Sequence, residues 1–575
     1  MSSTREVDFF GLRRLNPSPW DLVAIVLVIG FVAFLASTSR ELLQPLAHLE
    51  AVPLSLDPIH LPEYAARTTV RMLVALAFSL LFALGYATWA AKNARAGKLL
   101  VPILDVLQSV PILGFISITV VFFLTLGRGR VLGAEMAAIF AIFTSQAWNM
   151  AFSVYQSLRT VPVELREAAD SFHLTPWMRF WQLEVPFATP PLVWNMMMSM
   201  SGGWFFVVAA EAITVGNTTF ALPGIGSYIA LAIEQRNLAA IGWAIATMLV
   251  VILLYDQLLF RPLVAWMDRF RVDQEPGVET PRSWVLAVLR RSQLAGGARG
   301  AFTALFRWSA RRLPARAQSR ATMEPARERR GAFLVLVLVI VALAFSLRHI
   351  GAMLIEETSL AEALDVTRLA LLTMTRVFVL IALASVIWVP VGVWVGLRPR
   401  VAAIVQPVAQ FLAAFPANLL FPIAVYGIVS WHLDANVWLS PLMILGTQWY
   451  ILFNVIVGAS SMPNELRYAA ENLHVGGWLW WRKVALPGVF PYYVTGVITA
   501  SGGSWNASIV AEVASWGDVK LEARGLGAYI ADATAAGDLH RVALGIATMC
   551  LFVVVINRLL WTPLYDYAER KFRLT

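Results

Sequence analysis

The chain has 575 residues, 58% hydrophobic and only 14% charged, with a mean hydropathy of +0.67 and a formal net charge of +9. That composition lies outside the range of soluble globular domains and makes the bilayer the expected solvent. The single cysteine, Cys550, excludes an intrachain disulfide and any cysteine-based metal or cluster site, and reads as a small core residue.

Crossing roughly 30 Å of hydrocarbon takes about 20 apolar helical residues. The first such window covers residues 21–38; Arg5, Arg13 and Arg14 precede it and no small-residue cleavage pattern follows, so an uncleaved span with a cytoplasmic N-terminus is predicted. Apolar runs over 69–91, 100–125, 133–156, 190–213 and 240–260 complete six spans. Lys92, Arg95 and Lys98, then Arg159, Arg166 and Arg179, fall at alternate loops, which assigns those loops to the cytoplasm. Arg71, near the outer part of the second span, either attracts an anion or anchors to neighbouring backbone. Polar and aromatic residues within spans are candidates for a solute pathway: Gln108, Trp148, Asn149, Ser201 and Trp204. Interhelical packing accounts for each of them equally simply.

The loop over residues 158–190 is too polar to cross the bilayer. Glu164 to Phe172 favours helix, and Pro186 and Pro190 are expected to stop it before the next span. A short rigid helix on the cytoplasmic face has no membrane task of its own, and Ala168 and Ala169 permit close approach of a partner surface. His173 reads as structural, with a pH sensor or metal ligand as the alternative.

The next span carries Ser201-Gly202-Gly203-Trp204, small residues that suit a tightly packed or cavity-lining face, and then Glu211. A carboxylate in an apolar run is costly. Glu211 lies 25 residues beyond Pro186, roughly 37 Å of helix, and so belongs toward the external end. It is expected to accept hydrogen bonds from amides of the turn holding Gly224 and Gly226, with substrate contact as the alternative.

Residues 261–330 hold 15 Arg against 6 acidic residues, the whole of the net charge. A basic segment between spans marks the cytoplasmic side and can lie on anionic headgroups, and its confinement to one linker argues against nucleic acid as the partner. Within it, residues 301–313 put Phe302, Leu305, Phe306 and Leu313 on one helical face, as in a surface-lying helix; a disordered tether is the alternative.

The chain then repeats itself. At an offset of 301, Glu164-Leu165-Arg166 returns as Glu465-Leu466-Arg467, Ala168-Ala169 as Ala469-Ala470, His173 as His474, Pro186 as Pro487, Trp204 as Trp505 and Glu211 as Glu512. Gly224 and Gly226 return as Gly525 and Gly527; upstream the offset is 305, with Arg71 facing Arg376 and Pro111 facing Pro416. Runs over 332–347, 369–396, 404–429, 437–458, 491–514 and 541–561 give a second set of six spans. An even number of spans per copy makes the repeats parallel. The chain divides into a repeat at 1–260, a linker at 261–330 and a repeat at 331–575, whose own polar loop covers 460–491. Pathway candidates here are Gln410, Gln448, Asn454, Ser504, Trp505 and Asn506; because Gln108 faces Ala413 and Phe205 faces Asn506, the cavity is expected to be asymmetric.

Glu167-Ala168-Ala169, with Pro186 nineteen residues after Glu167, resembles the EAA loop of binding-protein-dependent type I ABC importer permeases, and Tyr468-Ala469-Ala470 with Pro487 repeats it. Ala511-Glu512 followed by Gly-Leu-Gly-Ala-Tyr-Ile at 525–530 is similar to permeases for nitrate, sulfonates, taurine and bicarbonate. The resemblance implies an all-α polytopic membrane protein of about 12 spans in a bacterial inner membrane, both termini cytoplasmic. It implies that each loop is a coupling helix seated in one of two ABC ATPase subunits, with a separate extracytoplasmic substrate-binding protein. Two departures stand out: the family's glycine is His173 and His474 here, and Tyr468 replaces the second glutamate.

The sequence has no phosphate-cradling Gly-x-x-x-x-Gly-Lys-Ser/Thr loop, so ATP and Mg²⁺ are expected on the partner ATPase and no cofactor on this chain, which is not itself an enzyme. A secondary transporter or channel also tolerates internal repeats and intramembrane carboxylates, but leaves the repeated cytoplasmic loop unexplained.

Overall fold

The computed structural model describes residues 42–46, 54–109, 112–215, 218–270, 283–291, 348, 351 and 358–572. The first expected span of each repeat, 21–38 and 332–347, and the expected linker helix at 301–313 lie outside the described residues. Among these residues the chain is helical apart from two short antiparallel hairpins, which pair Ala212–Val215 with Thr218–Ala221 and Val513–Trp516 with Val519–Glu522.

Seven helices are long and apolar enough to cross a membrane: Pro58–Lys92, Val131–Arg159, Pro176–Glu211, Leu238–Met267, Leu360–Gly396, Gly477–Ala511 and Leu539–Ala568. Two bent pairs, Pro399–Ala414 with Ala417–Ser430 and Ala435–Leu445 with Gln448–Ser460, raise the number to nine among the described residues. The expected continuous span at 404–429 is therefore broken, with a 75° bend. Phe415 is extended (φ −71°, ψ 129°) because the ring of Pro416 disfavours helix at the residue before it. The run at 100–125 likewise forms two helices, Ala94–Ser109 and Ile112–Leu126.

Pro186 and Pro190 do not stop a helix, contrary to the sequence expectation. The helix beginning at Pro176 passes through both to Glu211, by way of a π turn at Phe180–Glu184 in which the Val185 amide donates to the Phe180 carbonyl five residues back. The second repeat does the same at Trp481–Ala485, ahead of Pro487. Widening the turn just before a proline accommodates the ring that a regular α-turn would drive into the preceding carbonyl.

The described residues fall into two compact units that cut across the repeats. One holds Thr160–Val193 and the described part of Tyr255–Phe333; the other holds Gln44–Arg159, Trp194–Leu254 and the described part of Leu334–Thr575. In the larger unit, packing depends on small residues. Ala75, Ala83 and Ala87 of the Leu61–Lys92 helix and Ala137, Ala141, Ala147 and Ala151 of the Val131–Arg159 helix are almost completely buried. Gly392 and Gly396, four residues apart, lie against Val455, Ile456 and Ala459, where a Cβ would meet a side chain or carbonyl. Close backbone approach replaces the hydrophobic drive that lipid cannot supply.

Candidate functional site

Three features of the fold bear on function, and the first is a carboxylate knot at the end of a span. Glu211, at the last position of its helix, is fully buried and accepts hydrogen bonds from Arg71 Nη1 (2.7 Å), Thr68 Oγ1 (2.7 Å) and the Gly226 amide (2.7 Å). Thr68 Oγ1 in turn accepts from the Ile225 amide at 3.1 Å. The carboxylate therefore caps the first amides of the Ile225–Glu234 helix, where the helix dipole favours negative charge. A Cβ on Gly224 would fall within the Glu211 carboxylate, and one on Gly226 would strike the Val208 carbonyl, so both positions need glycine for close approach.

The second repeat rebuilds this knot. Glu512 accepts from Arg376 Nη1 (3.0 Å), Thr373 Oγ1 (2.7 Å) and the amides of Gly527 (2.8 Å) and Ala528 (3.2 Å). Gly525 and Gly527 meet Glu512 and the Ser508 carbonyl as their counterparts do in the first repeat. Arg71 differs from both sequence readings, anion attractor and backbone anchor, whereas Arg376 meets the backbone-anchor reading in part. Arg71 is held by two carboxylates, Glu211 and, in a bidentate pair at 2.6 Å, Glu135; Arg376 has Glu512 and the Arg524 carbonyl.

The second feature is a cavity of about 260 Å³ lined by both repeats. Gln108, Trp148, Asn149, Ser201 and Asn506 line it, as do Thr144, Phe205, Phe415, Thr447, Tyr450 and Gly502. Its walls are tied across the repeats. Asn506 Oδ1 accepts from the Ile112 amide at 2.7 Å, Asn418 Nδ2 donates to the Phe205 carbonyl at 3.1 Å, and the Ser201 hydroxyl donates to the Ala413 carbonyl. No Asp, Glu, His, Lys or Arg is among its lining residues; the polar groups are amides, hydroxyls, a phenol and an indole.

Six pathway candidates are not among the lining residues. Trp204 and Trp505 are buried, Ser504 bonds Thr447 behind the wall, Gln448 receives the Trp388 indole N–H, Asn454 caps the Tyr450 carbonyl, and Gln410 is half-buried elsewhere. Sequence reasoning missed Thr144 and Thr447 because Thr hydroxyls in helical turns also bond carbonyls one turn back, here those of Ala141 and Ile444. It missed Tyr450 because an aromatic residue in an apolar run reads equally as packing. It also missed Glu135, which has no acidic counterpart: Asn436 stands 301 residues on.

The third feature is the pair of short helices in the polar loops, Val163–Ser171 and Asn464–Asn472. Glu164, Glu167, Ala168 and His173 are exposed in the first, and Glu465, Tyr468, Ala469 and His474 in the second, while Ala169 and Ala470 are buried beneath. Pro186 and Pro487 are half-buried, each just after its π turn. Each helix ends in a histidine with φ 51°, the left-handed residue that closes the last turn. The Leu174 amide reaches the Ala169 carbonyl (3.0 Å), and the Val475 amide the Ala470 carbonyl (2.9 Å). Large apolar side chains stand exposed around them, among them Val163 and Phe172 in one loop and Tyr468, Leu473 and Trp478 in the other.

A family model described as "Binding-protein-dependent transport system inner membrane component" matches residues 59–269 and again 388–574. The bicarbonate transport system permease protein CmpB of Synechococcus elongatus is 32% identical over 161 residues, 28% of this chain and 55% of that protein. The nitrate import permease protein NrtB of Leptolyngbya laminosa is 26% identical over 187 residues, 32% of this chain and 63% of the relative. The glycine betaine/carnitine transport permease protein GbuB of Listeria monocytogenes is 30% identical over 148 residues, 26% of this chain and 49% of the relative. The chain spans about half the length of the curated relatives it matches.

Proposed function

Since the chain belongs to the family of binding-protein-dependent transport system inner membrane components, whose domain it carries twice, we propose that it is the membrane-embedded permease of an ABC importer. The observation that carries this reading is one cavity lined by both repeats, in a chain where each repeat also presents a short polar-loop helix with exposed apolar side chains. In this reading the Val163–Ser171 and Asn464–Asn472 helices seat in two separate ATPase subunits in the cytoplasm, which bind the ATP and Mg²⁺. Closure of the ATPase pair draws the helices together and opens the cavity toward an external binding protein; hydrolysis returns it inward. Both chain termini lie in the cytoplasm of a bacterial inner-membrane protein.

The solute is a small anion of the nitrate, sulfonate, taurine or bicarbonate kind. A cavity of neutral donors supports this assignment, because amide and hydroxyl groups at Gln108, Asn149, Thr447 and Tyr450 can hold an anion without the strong ion pair that would trap it. Glu211, Arg71, Glu512 and Arg376 are assigned to holding the span ends against the Gly224–Gly226 and Gly525–Gly527 turns, not to touching solute.

The test is a pull-down of the ATPase subunit with the exposed positions changed, Ala168→Arg together with Ala469→Arg. Loss of the ATPase from a still-folded permease is expected, and full retention would remove the importer reading. Gly502→Leu, whose side chain would project into open cavity space, is expected to abolish ATP-driven uptake of labelled nitrate or bicarbonate in proteoliposomes while leaving ATPase binding intact.

A further inference from the structure

A second concavity lies away from the cavity between the repeats, on the flank of the second repeat. It encloses about 910 Å³ and is walled by Val386, Val389 and Pro390 of one span, Trp481, Phe490 and Tyr493 of another, and Tyr567 near the C-terminal end. Its lining is apolar and aromatic apart from Arg482 and Ser385, whose hydroxyl accepts from Tyr493 at 3.0 Å. Arg482 and its neighbour Lys483 are exposed, no described residue pairs with either, and no carboxylate lines the groove.

We propose that this groove is a binding site for one anionic phospholipid, its phosphate on Arg482 and Lys483 and an acyl chain along Val386, Val389 and Phe490. Three observations select that occupant. The groove runs on from an exposed apolar stripe of the Leu360–Gly396 helix, through Val379, Leu383, Val386 and Ile387, which is the face a bilayer covers. Trp481, next to Arg482 in the chain, and Tyr567 are among the lining, as aromatic rings are at headgroup level. Pro390 has no N–H to donate, so the Val386 carbonyl at the groove lacks its helical partner and is left for a lipid glycerol or headgroup hydroxyl. The pair of cations belongs to this repeat alone, since Trp181 and Gln182 stand 301 residues earlier. An asymmetric lipid contact beside the Asn464–Asn472 helix follows. The inference depends on the chain's spanning a membrane and not on what it transports.

Native mass spectrometry of the full chain, purified in detergent and offered equal phosphatidylglycerol and phosphatidylcholine, tests it. The wild type is expected to retain phosphatidylglycerol about tenfold over phosphatidylcholine, the effect of one or two charge-assisted contacts. Arg482→Gln with Lys483→Gln should bring that ratio to about one, and Val386→Trp should remove bound lipid of both kinds. Inorganic phosphate should not displace the retained lipid. Equal retention of the two lipids by the wild type, or an unchanged preference in the double variant, would overturn the proposal. If Val386→Trp fails to fold, the double variant, confined to exposed side chains, still decides it.

Discussion

The two carboxylate knots use the same groups in the same order, yet they sit in different electrostatic surroundings. In the first, Arg71 is buried between Glu135 and Glu211, so one cation faces two carboxylates away from water. In the second, Arg376 remains 15% exposed and satisfies one carboxylate and one carbonyl, while Asn436, at the place of Glu135, accepts the Arg524 amide at 3.0 Å. The hydrogen bonds that fix the turn after the span are common to both, and the charge balance is not. Duplication has therefore preserved the mechanical link between span and turn, and the ionic support behind it has diverged.

The largest expected effect separates the two arginines. Arg71→Ala strands two buried carboxylates and should cost about 3–5 kcal/mol. Arg376→Ala strands one beside partly wet groups and should cost roughly half that. Denaturant titration of the purified chain followed by circular dichroism compares them, and equal losses would mean that Glu135 contributes nothing. A middle-sized effect should be shared: Gly224→Ala and Gly525→Ala each push a methyl into a fixed carboxylate and should each cost about 1–3 kcal/mol. A marked inequality in melting temperature between those two variants would show that the turns are not equivalent. The smallest effect has the opposite sign. His173→Gly and His474→Gly relieve a left-handed backbone and should stabilise by up to about 1 kcal/mol after the unfolded-state entropy of glycine is subtracted. His474 also places Nδ1 3.2 Å from the Glu471 carbonyl, so its gain should be the smaller of the two. Destabilisation on either change would assign the histidine ring a role that its backbone does not explain.

How much could be read beforehand depended on the range of the interaction. The contact between Glu211 and the Gly226 amide joins residues fifteen apart, and a carboxylate at the end of an apolar run followed by glycines has few other partners, so it was legible. Glu135 lies 64 residues from Arg71 at the start of another span, and nothing local marks it as the second partner. The left-handed turn at His173 was legible only as a departure from a glycine pattern, because histidine itself does not announce a positive φ. The prolines misled for a physical reason. A proline stops an α-turn, but a π turn one step upstream lets the helix continue, and no sequence signal for that turn was available.

By itself the sequence determined that this is an all-helical membrane chain written twice, with a polar loop, a glycine cluster and a glutamate in the same order in each copy. Those features follow from hydropathy, charge placement and self-similarity, which are local or additive. Only the tertiary structure decided which polar residues face the cavity. Trp148 and Asn149 line it while Trp204 and Trp505 are buried, because the choice depends on how each helix is rotated against its neighbours. It alone also decided that the span at 404–429 bends by 75° at Pro416, and that Arg71 closes on Glu135. The Arg71–Glu135 pair depends on a contact between helices 64 residues apart, which no single apolar run encodes. The bend has a local cause in Pro416, and only its angle had to come from the structure.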